Sequence, residues 1–347
     1  MSAPASETVA DLGSAVDRVA ERAAALDEAT ADIRDDLAAL GSAGLLRLGL
    51  DRAALPDMVA VIEDVSTASL AVGFSTWAHR MALHYVQLAP EALREAHFDG
   101  LARGERVGVT AMAAGLKHVA GLGELPVIAR PDGDGLRVSG PIRWASNVFP
   151  ESLIVLPART ERGETYVVVV DADADGVTIN PAPRLMALNA TGSTSLHLDD
   201  VAVPGTRIVS TDLPGFVARI RPTFLLLQTA FCVGVGGAAL RGAQRLHHGT
   251  GAQFGDDLSR LSRASDHQRE RLYRWAADPA GTALSDLVEL RLQAAGLAVD
   301  ATRLEITLTG GAGYALGSAA NRRFRESAFL PIQSPSEGQL RWELTRA

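Results

Sequence analysis

The stretch LMALNATGSTSLHLDDVAVP, residues 185–204, decides the fold of this chain. The run TSLHLDDVAVP within it belongs to a set of short runs rich in valine and threonine, residue types that favour β-strands. Four further runs of the same texture precede it: RVGVTAM, GLRVSGPIRWASN, SLIVLPART and TYVVVVDA. The turn-forming segments PDGDG, ERGE and DADADG separate these runs. The sequence therefore predicts a β domain over residues 106–208.

Helical periodicity predicts the regions on both sides of this β domain. Near the N-terminus, apolar residues recur at helical spacing at Val9, Leu12, Val16 and Val19. Beyond Pro214 the same period returns in long stretches. The predicted fold class is α+β multidomain: an N-terminal α-helical domain at residues 1–105, a central β-barrel domain at 106–208 and a C-terminal α-helical bundle at 209–347.

Composition excludes several classes of protein. The chain has 347 residues, is 47% hydrophobic and has a formal net charge of -8. Because acids and bases are interspersed, it lacks the field that would gather nucleic acid or an anionic membrane. The single cysteine, Cys232, excludes an intrachain disulfide and a thiolate metal cluster. No secretory leader is visible and no membrane span is expected, so the sequence predicts a cytoplasmic protein.

Common site motifs are missing, and one partial motif has a simpler interpretation. The sequence has no GxSxG, P-loop or HExxH, so no metal is predicted. The segment GVGGAA at 234–239 matches a relaxed dinucleotide-binding fingerprint. A helical pattern follows it where that fingerprint requires a strand, so small residues at a close helix–helix contact are the favoured interpretation.

Three motifs in order carry a resemblance to a known family. SGPIRWASN at 139–147 places Trp144 four residues after a glycine, the stretch at 185–204 ends in DVAVP, and TGGAGY follows at 309–314. The chain resembles the acyl-CoA dehydrogenase superfamily, whose members carry G-x-K-x-W-I-T-N, then K-M-G-x-R-x-S-x-T with a D-V-x-V-P strand, then G-G-x-G-Y. Order and spacing match over about residues 105–345.

This resemblance implies a flavin-dependent oxidoreductase that acts on the CH–CH group of an acyl thioester, such as a CoA thioester, or of a related substrate. It implies FAD between the β domain and the bundle, with FMN as the alternative, and a homodimer or homotetramer. Thr110 falls at the threonine that contacts the flavin. Trp144 and Ser146 fall where the family's strand covers the ring and donates a hydroxyl to its N5 atom.

Ser334 falls at the position of the family's catalytic glutamate, and Ser336 falls at the threonine of the same I-Y-E-G-T motif. A serine hydroxyl without a partner base is too weakly basic to accept a proton near neutral pH. The local pattern alone predicts a helix start instead. In that interpretation Ser334 is the cap, Pro335 is the first helical residue and Glu337 completes a capping box.

The resemblance leaves two alternative functions open. One is a reduced-flavin-dependent monooxygenase served by a separate flavin reductase, in which His79 lies near the ring. The other is a non-catalytic subunit that completes the site of a paralogous partner in a mixed oligomer. His79 lies in the apolar run STWAHRMALHYV, a setting that is also typical of a core histidine without a role at the flavin.

Overall fold

The computed structural model describes residues 5–50 and 55–346. Helices fill the N-terminal region, and the predicted helix from Val9 is part of the first of them, although the side chain of Val9 lies outside the described part. The helices are α1 (Ala5–Asp27), α2 (Arg34–Ser42), α3 (Leu55–Ala68), α4 (Leu70–Gln87) and α5 (Glu91–Ala102). Among these helices, α4 is buried along most of its length.

The central region is an eight-stranded mixed sheet in the described residues. Its strands are β1 (Gly108–Thr110), β2 (Ile128–Asp132), β3 (Gly135–Ala145), β4 (Leu153–Arg159), β5 (Thr165–Asp171), β6 (Val177–Ile179), β7 (Thr194–Val203) and β8 (Ile208–Ser210). The order is β6-β7-β3-β2-β4-β5-β8, with β1 paired in parallel to β4. The sheet surrounds its own apolar core, to which Val138, Leu156 and Leu198 contribute. A short helix, α6 (Ala113–Val119), follows β1.

Helices return after the sheet and pack around α7, which runs from Leu213 to Arg245. The others are α8 (Gly255–Ala277), α9 (Leu284–Thr309), α10 (Ala319–Ser327) and α11 (Glu337–Leu344). The predicted order of helices, β-rich region and helices is therefore confirmed. The exact domain limits at 105 and 208 stay a prediction.

Small residues bring α7 close to its neighbours. A Cβ added at Gly234 would lie 2.3 Å from the backbone oxygen of Glu63 on α3, and one at Gly236 would lie 3.3 Å from the Cα of Ala298 on α9. These contacts agree with the interpretation of GVGGAA as a close helix–helix contact.

The same helix corrects the expectation that no apolar segment is long enough to span a membrane. By length and composition alone, α7 is long and apolar enough to cross a membrane. It carries no charged residue between Arg221 and Arg241. However, 89% of its 18-residue apolar segment is buried inside the protein. This helix forms the centre of the helical core.

Candidate active site

A cavity of about 400 Å³ lies where the sheet meets the helices. Thr110 at the end of β1, Trp144 and Ser146 at the end of β3, and Ser334 before α11 all line it. The structure thus brings together four of the six residues that the sequence singled out. The aromatic lining residues on the helical side are Phe74, Trp77, Phe224 and Phe329.

Irregularities in β3 direct Trp144 into the cavity. The pairing of β3 with β7 shifts register between Val138 and Gly140 and again between Ile142 and Ala145. Such bulges bend a strand and turn its side chains to a new direction. Gly140 has φ +139°, and a Cβ there would lie 2.4 Å from the Pro126 oxygen, so the bend requires glycine. The Trp144 side chain ends 61% exposed, with an open ring face.

Asn147 fixes the end of β3 against the helices. It is fully buried and adopts a left-handed backbone conformation with φ 65°. Its Nδ2 donates to the Ser75 oxygen at 2.9 Å and to the Gly108 oxygen at 3.3 Å, and its backbone N–H donates to the Thr191 oxygen at 2.8 Å. These three bonds join β3 to α4, to β1 and to the loop before β7, so they set the position of Ser146.

Hydroxyl groups form two short chains beside Trp144. Thr110 Oγ1 lies 3.0 Å from Tyr85 Oη, and burial raises the pKa of the Tyr85 phenol. Ser146 Oγ lies 2.6 Å from Ser193 Oγ, which lies 2.7 Å from Thr191 Oγ1. Ser193 lies just before β7, inside the stretch 185–204, but the sequence analysis assigned it no role.

The opposite wall holds Ser334, and here the local prediction was wrong. Helix α11 begins at Glu337, and its cap is Ser336, whose side chain accepts a hydrogen bond from the Gln339 N–H at 3.4 Å. Glu337 accepts from Arg341 Nε at 2.8 Å rather than closing a capping box on Ser334. The Oγ of Ser334 is buried without a hydrogen-bond partner in the described residues. Ser334 thus lines the cavity with a hydroxyl oxygen that is itself buried and has no partner among the described residues.

A buried arginine stands behind this wall. Arg291 on α9 is 0% exposed and donates through Nε to Gln228 Oε1 at 3.3 Å. Its Nη2 donates to the Leu330 oxygen and to Gln333 Oε1, both at 3.1 Å. Within the described part of the chain, Arg291 forms no ion pair, its Nη1 has no hydrogen-bond partner, and its Cζ lies 5.6 Å from the centre of the Phe231 ring. The sequence analysis missed this residue.

His79 does not line the cavity. It is fully buried; its Nδ1 accepts from the Gly108 N–H at 3.0 Å, so its Nε2 carries the proton and donates to the Leu101 oxygen at 2.9 Å. Burial lowers the pKa of His79 to about 4. Both ring nitrogens are thus used within the core, and this position argues against the role beside a flavin that the sequence suggested.

Ser336 also lies outside the set of lining residues. Its side chain is engaged as the cap of α11. The position therefore fits a structural role better than the cofactor contact that the resemblance implied.

The cavity is lined by cations but, among the described residues, by no acid. Lys117 and Arg325 contribute to its surface. Arg325 Nη1 is held by Asp27 Oδ1 at 2.9 Å, whereas Lys117 on α6 is exposed. Glu326, next to Arg325, is buried away from the cavity, and burial raises its pKa to about 7. Among the residues that the structure describes, no carboxylate is thus placed to accept a proton from a molecule in the cavity.

Comparisons with known proteins match this architecture. No protein-family model matches the chain. A probable acyl-CoA dehydrogenase, FadE25 of Mycobacterium tuberculosis, is 25% identical over 242 residues, which cover 63% of this chain. The match spans only 61% of the length of that relative.

Solved structures match nearly the whole chain. Butyryl-CoA dehydrogenase from Megasphaera elsdenii has a TM-score of 0.88 at 15% identity and covers 100% of this chain and 99% of its own. FkbI, for biosynthesis of the methoxymalonyl extender unit of the Fk520 polyketide, has a TM-score of 0.83 at 23% identity, covering 96% and 98%. The acyl-CoA dehydrogenase fold predicted from the three motifs is confirmed.

Proposed function

We propose that this protein is a flavin-dependent oxidoreductase of the acyl-CoA dehydrogenase type. In this proposal it binds FAD in the cavity and acts on the CH–CH group of an acyl thioester or a related substrate. The observation that carries the proposal is the open ring of Trp144 beside the hydroxyls of Thr110 and Ser146. A flavin ring system is flat and largely apolar with polar edges, so it needs an aromatic face and hydroxyl groups at its rim. The residues present fit that need.

Each wall of the cavity has a distinct part in the proposal. FAD, when bound, supplies the hydride acceptor. Trp144 would lie against the ring, and the hydroxyls of Thr110 and Ser146 would orient its polar edge. The aromatic cluster on the helical side excludes water; there Trp77 packs edge-on against Phe224 with ring centroids 5.0 Å apart. The part of the cavity that Ser334 lines would hold the substrate.

The described residues that line the cavity include no carboxylate, and this favours a second candidate function. Hydride loss from the β-carbon of a saturated acyl thioester is coupled to loss of the α-proton, which requires a base. Ser334 cannot serve as one. A monooxygenase that receives reduced flavin from a separate reductase needs no carboxylate there, so it is the runner-up, although the position of His79 gives it no support.

Exposed apolar side chains support self-association as part of the proposal. Beyond α9, Tyr314 is 88% exposed, Leu316 is 73% exposed and Phe324 is 40% exposed. Large apolar side chains grouped at a surface are typical of interfaces. We expect a homodimer or homotetramer, and light scattering that gives only a monomer at micromolar concentration would contradict this part.

The test of the proposed function is flavin binding by the purified protein. We expect a yellow protein that releases FAD on denaturation. Trp144→Ala should weaken FAD binding at least tenfold, because the ring loses its aromatic contact. Trp275→Ala on α8 is the matched control, since Trp275 stacks with Arg271 away from the cavity and its loss should leave FAD affinity unchanged.

Two results would count against the proposal. Equal FAD affinity in the wild-type protein and the Trp144→Ala variant would remove the assigned ring position. Flavin binding that occurs only when a second, paralogous subunit is co-expressed would replace the enzyme proposal with that of a non-catalytic subunit.

A further inference from the structure

The direction of the hydroxyl protons in the cavity follows from counting donors. Thr191 Oγ1 lies 2.7 Å from the Leu188 carbonyl, which only accepts, so Thr191 spends its single proton there. The 2.7 Å contact with Ser193 therefore requires Ser193 to donate to Thr191. The 2.6 Å contact between Ser146 and Ser193 then requires Ser146 to donate to Ser193. The chain of donors runs from Ser146 away from the cavity.

Ser146 consequently offers the cavity lone pairs and no proton. The neighbouring hydroxyl has the opposite polarity. Tyr85 Oη lies 3.0 Å from Thr110 Oγ1. A phenol is a stronger donor and a weaker acceptor than an aliphatic hydroxyl, and Tyr85 is fully buried, so Tyr85 donates to Thr110 and the proton of Thr110 stays available to a ligand. One wall of the cavity thus presents a donor at Thr110 and an acceptor at Ser146.

A flavin ring meets these two groups differently in its two redox states. Its C4 carbonyl accepts a hydrogen bond in both states, which suits Thr110. Its N5 atom accepts when the ring is oxidised and carries a proton when the ring is reduced. An acceptor at Ser146 pairs with the reduced ring, whereas the oxidised ring can gain a proton from Ser146 only if the bond to Ser193 breaks.

The charge behind the opposite wall acts in the same direction. Arg291 is fully buried, forms no ion pair among the described residues, and donates a hydrogen bond to Gln333, which lines the cavity. An unpaired buried charge is poorly screened, so it favours negative charge nearby. The reduced ring loses a proton near neutral pH and becomes an anion, which the oxidised ring does not.

We propose that this cavity is preset for reduced flavin and binds it more tightly than oxidised flavin, through the acceptor at Ser146 and the positive charge of Arg291. The inference rests on the proposed function, because it assumes a flavin with its N5 edge at Ser146. It corrects the expectation that Ser146 donates to N5.

The test measures the dissociation constants of oxidised FAD and of dithionite-reduced FAD under anaerobic conditions. The wild-type protein should bind reduced FAD more tightly. Ser193→Ala frees the proton of Ser146 for oxidised N5. Thr191→Val lets Ser193 turn its proton towards Ser146, with the same result. Each variant should lower the preference for reduced FAD about tenfold, which is the effect of about one hydrogen bond. This ratio corresponds to a shift of about 30 mV in the two-electron reduction potential of the bound flavin.

Charge variants test the second contribution independently. Arg291→Met should lower the preference for reduced FAD about tenfold, whereas Arg291→Lys keeps the charge and should retain it. Ser195→Ala is the control for the hydroxyl chain, since Ser195 Oγ accepts from Asn180 Nδ2 at 2.9 Å outside that chain, and it should change neither constant.

The outcomes separate this inference from the function on which it rests. An unchanged preference in both Ser193→Ala and Thr191→Val, with FAD still bound, would overturn the inference and leave the proposed function intact. Failure of the wild-type protein to bind either form of FAD would overturn the proposed function and the inference with it.

Discussion

The side-chain amide of Gln228 donates a hydrogen bond to the backbone carbonyl of Ser334 at 2.9 Å, across 106 residues of sequence. Gln333 Nε2 donates to the same carbonyl at 2.9 Å. Both glutamines also accept from Arg291, so a single buried arginine holds α7, α9 and the segment before α11 together. The wall that faces the proposed flavin is therefore fixed by polar contacts in the helical core.

Gln228→Leu should destabilise the protein. The substitution leaves the Ser334 carbonyl with one donor fewer and Arg291 Nε without its acceptor, and each buried polar group left unpaired costs about 1–3 kcal/mol. Urea unfolding would measure the change. Gln293→Leu is the control, because Gln293 is exposed on α9 and its loss should alter stability by less than about 0.5 kcal/mol. Equal effects of the two substitutions would contradict the assigned role of Gln228.

Two glycines of α7 should respond to alanine in opposite ways. At Gly234 the new methyl group would lie 2.3 Å from the Glu63 oxygen, so α3 and α7 must separate, at a cost of about 1–3 kcal/mol. At Gly237 the nearest atom is the end of the flexible Arg241 side chain at 3.3 Å. Gly237→Ala should therefore raise stability by up to about 1 kcal/mol, because alanine favours helix. Thermal unfolding of both variants checks the pair.

Glu326 makes stability depend on pH. It is fully buried on α10, and burial raises its pKa from 4.5 to about 7. In this range the folded protein binds more protons at this site than the unfolded chain, so its contribution is fully present below about pH 4.5 and is lost as the pH rises through 7. Glu326→Gln removes this loss. The substitution should therefore stabilise the protein more at pH 8 than at pH 5, with a difference of roughly 3 kcal/mol at most.

His79 contributes with the opposite sign. Its pKa is lowered to about 4 by burial, so stability from this residue is present above about pH 6.5 and falls as the pH drops towards 4. In the wild-type protein the two contributions oppose each other over the same pH range. Urea unfolding between pH 5 and 8 should thus give a stability that rises more steeply with pH in the Glu326→Gln variant. A parallel pair of curves would contradict the buried, neutral state of Glu326.

The position of Trp144 and Ser146 at the cavity was predictable because the two residues lie close together in sequence. Trp144 is on β3 and Ser146 directly follows this strand, so one motif places both at the cavity. Arg291 was not predictable. Its partners Gln228 and Gln333 are 63 and 42 residues away in sequence, and no spacing rule links them.

The start of α11 and the place of His79 show two other limits of sequence reasoning. Ser334 and Ser336 both suit a helix cap, and only the hydrogen bond from the Gln339 N–H to Ser336 distinguishes them. An apolar setting is compatible with a core histidine and with a site histidine alike. For His79, the hydrogen bond from the Gly108 N–H on β1 shows that the ring is part of the core.

Ser334 provides the last prediction, which concerns the reaction. If no carboxylate of this chain reaches the substrate, butyryl-CoA and octanoyl-CoA should not bleach the visible absorption of bound oxidised FAD under anaerobic conditions. Ser334→Glu places a carboxylate at the position that the resemblance assigns to a base, on a wall whose Ser334 Oγ has no partner to lose in the described residues. That variant should bleach with these thioesters, whereas Ser334→Ala should not. Rapid bleaching of the wild-type protein would instead reveal a base outside the described cavity, and it would rule out the monooxygenase alternative in favour of dehydrogenation.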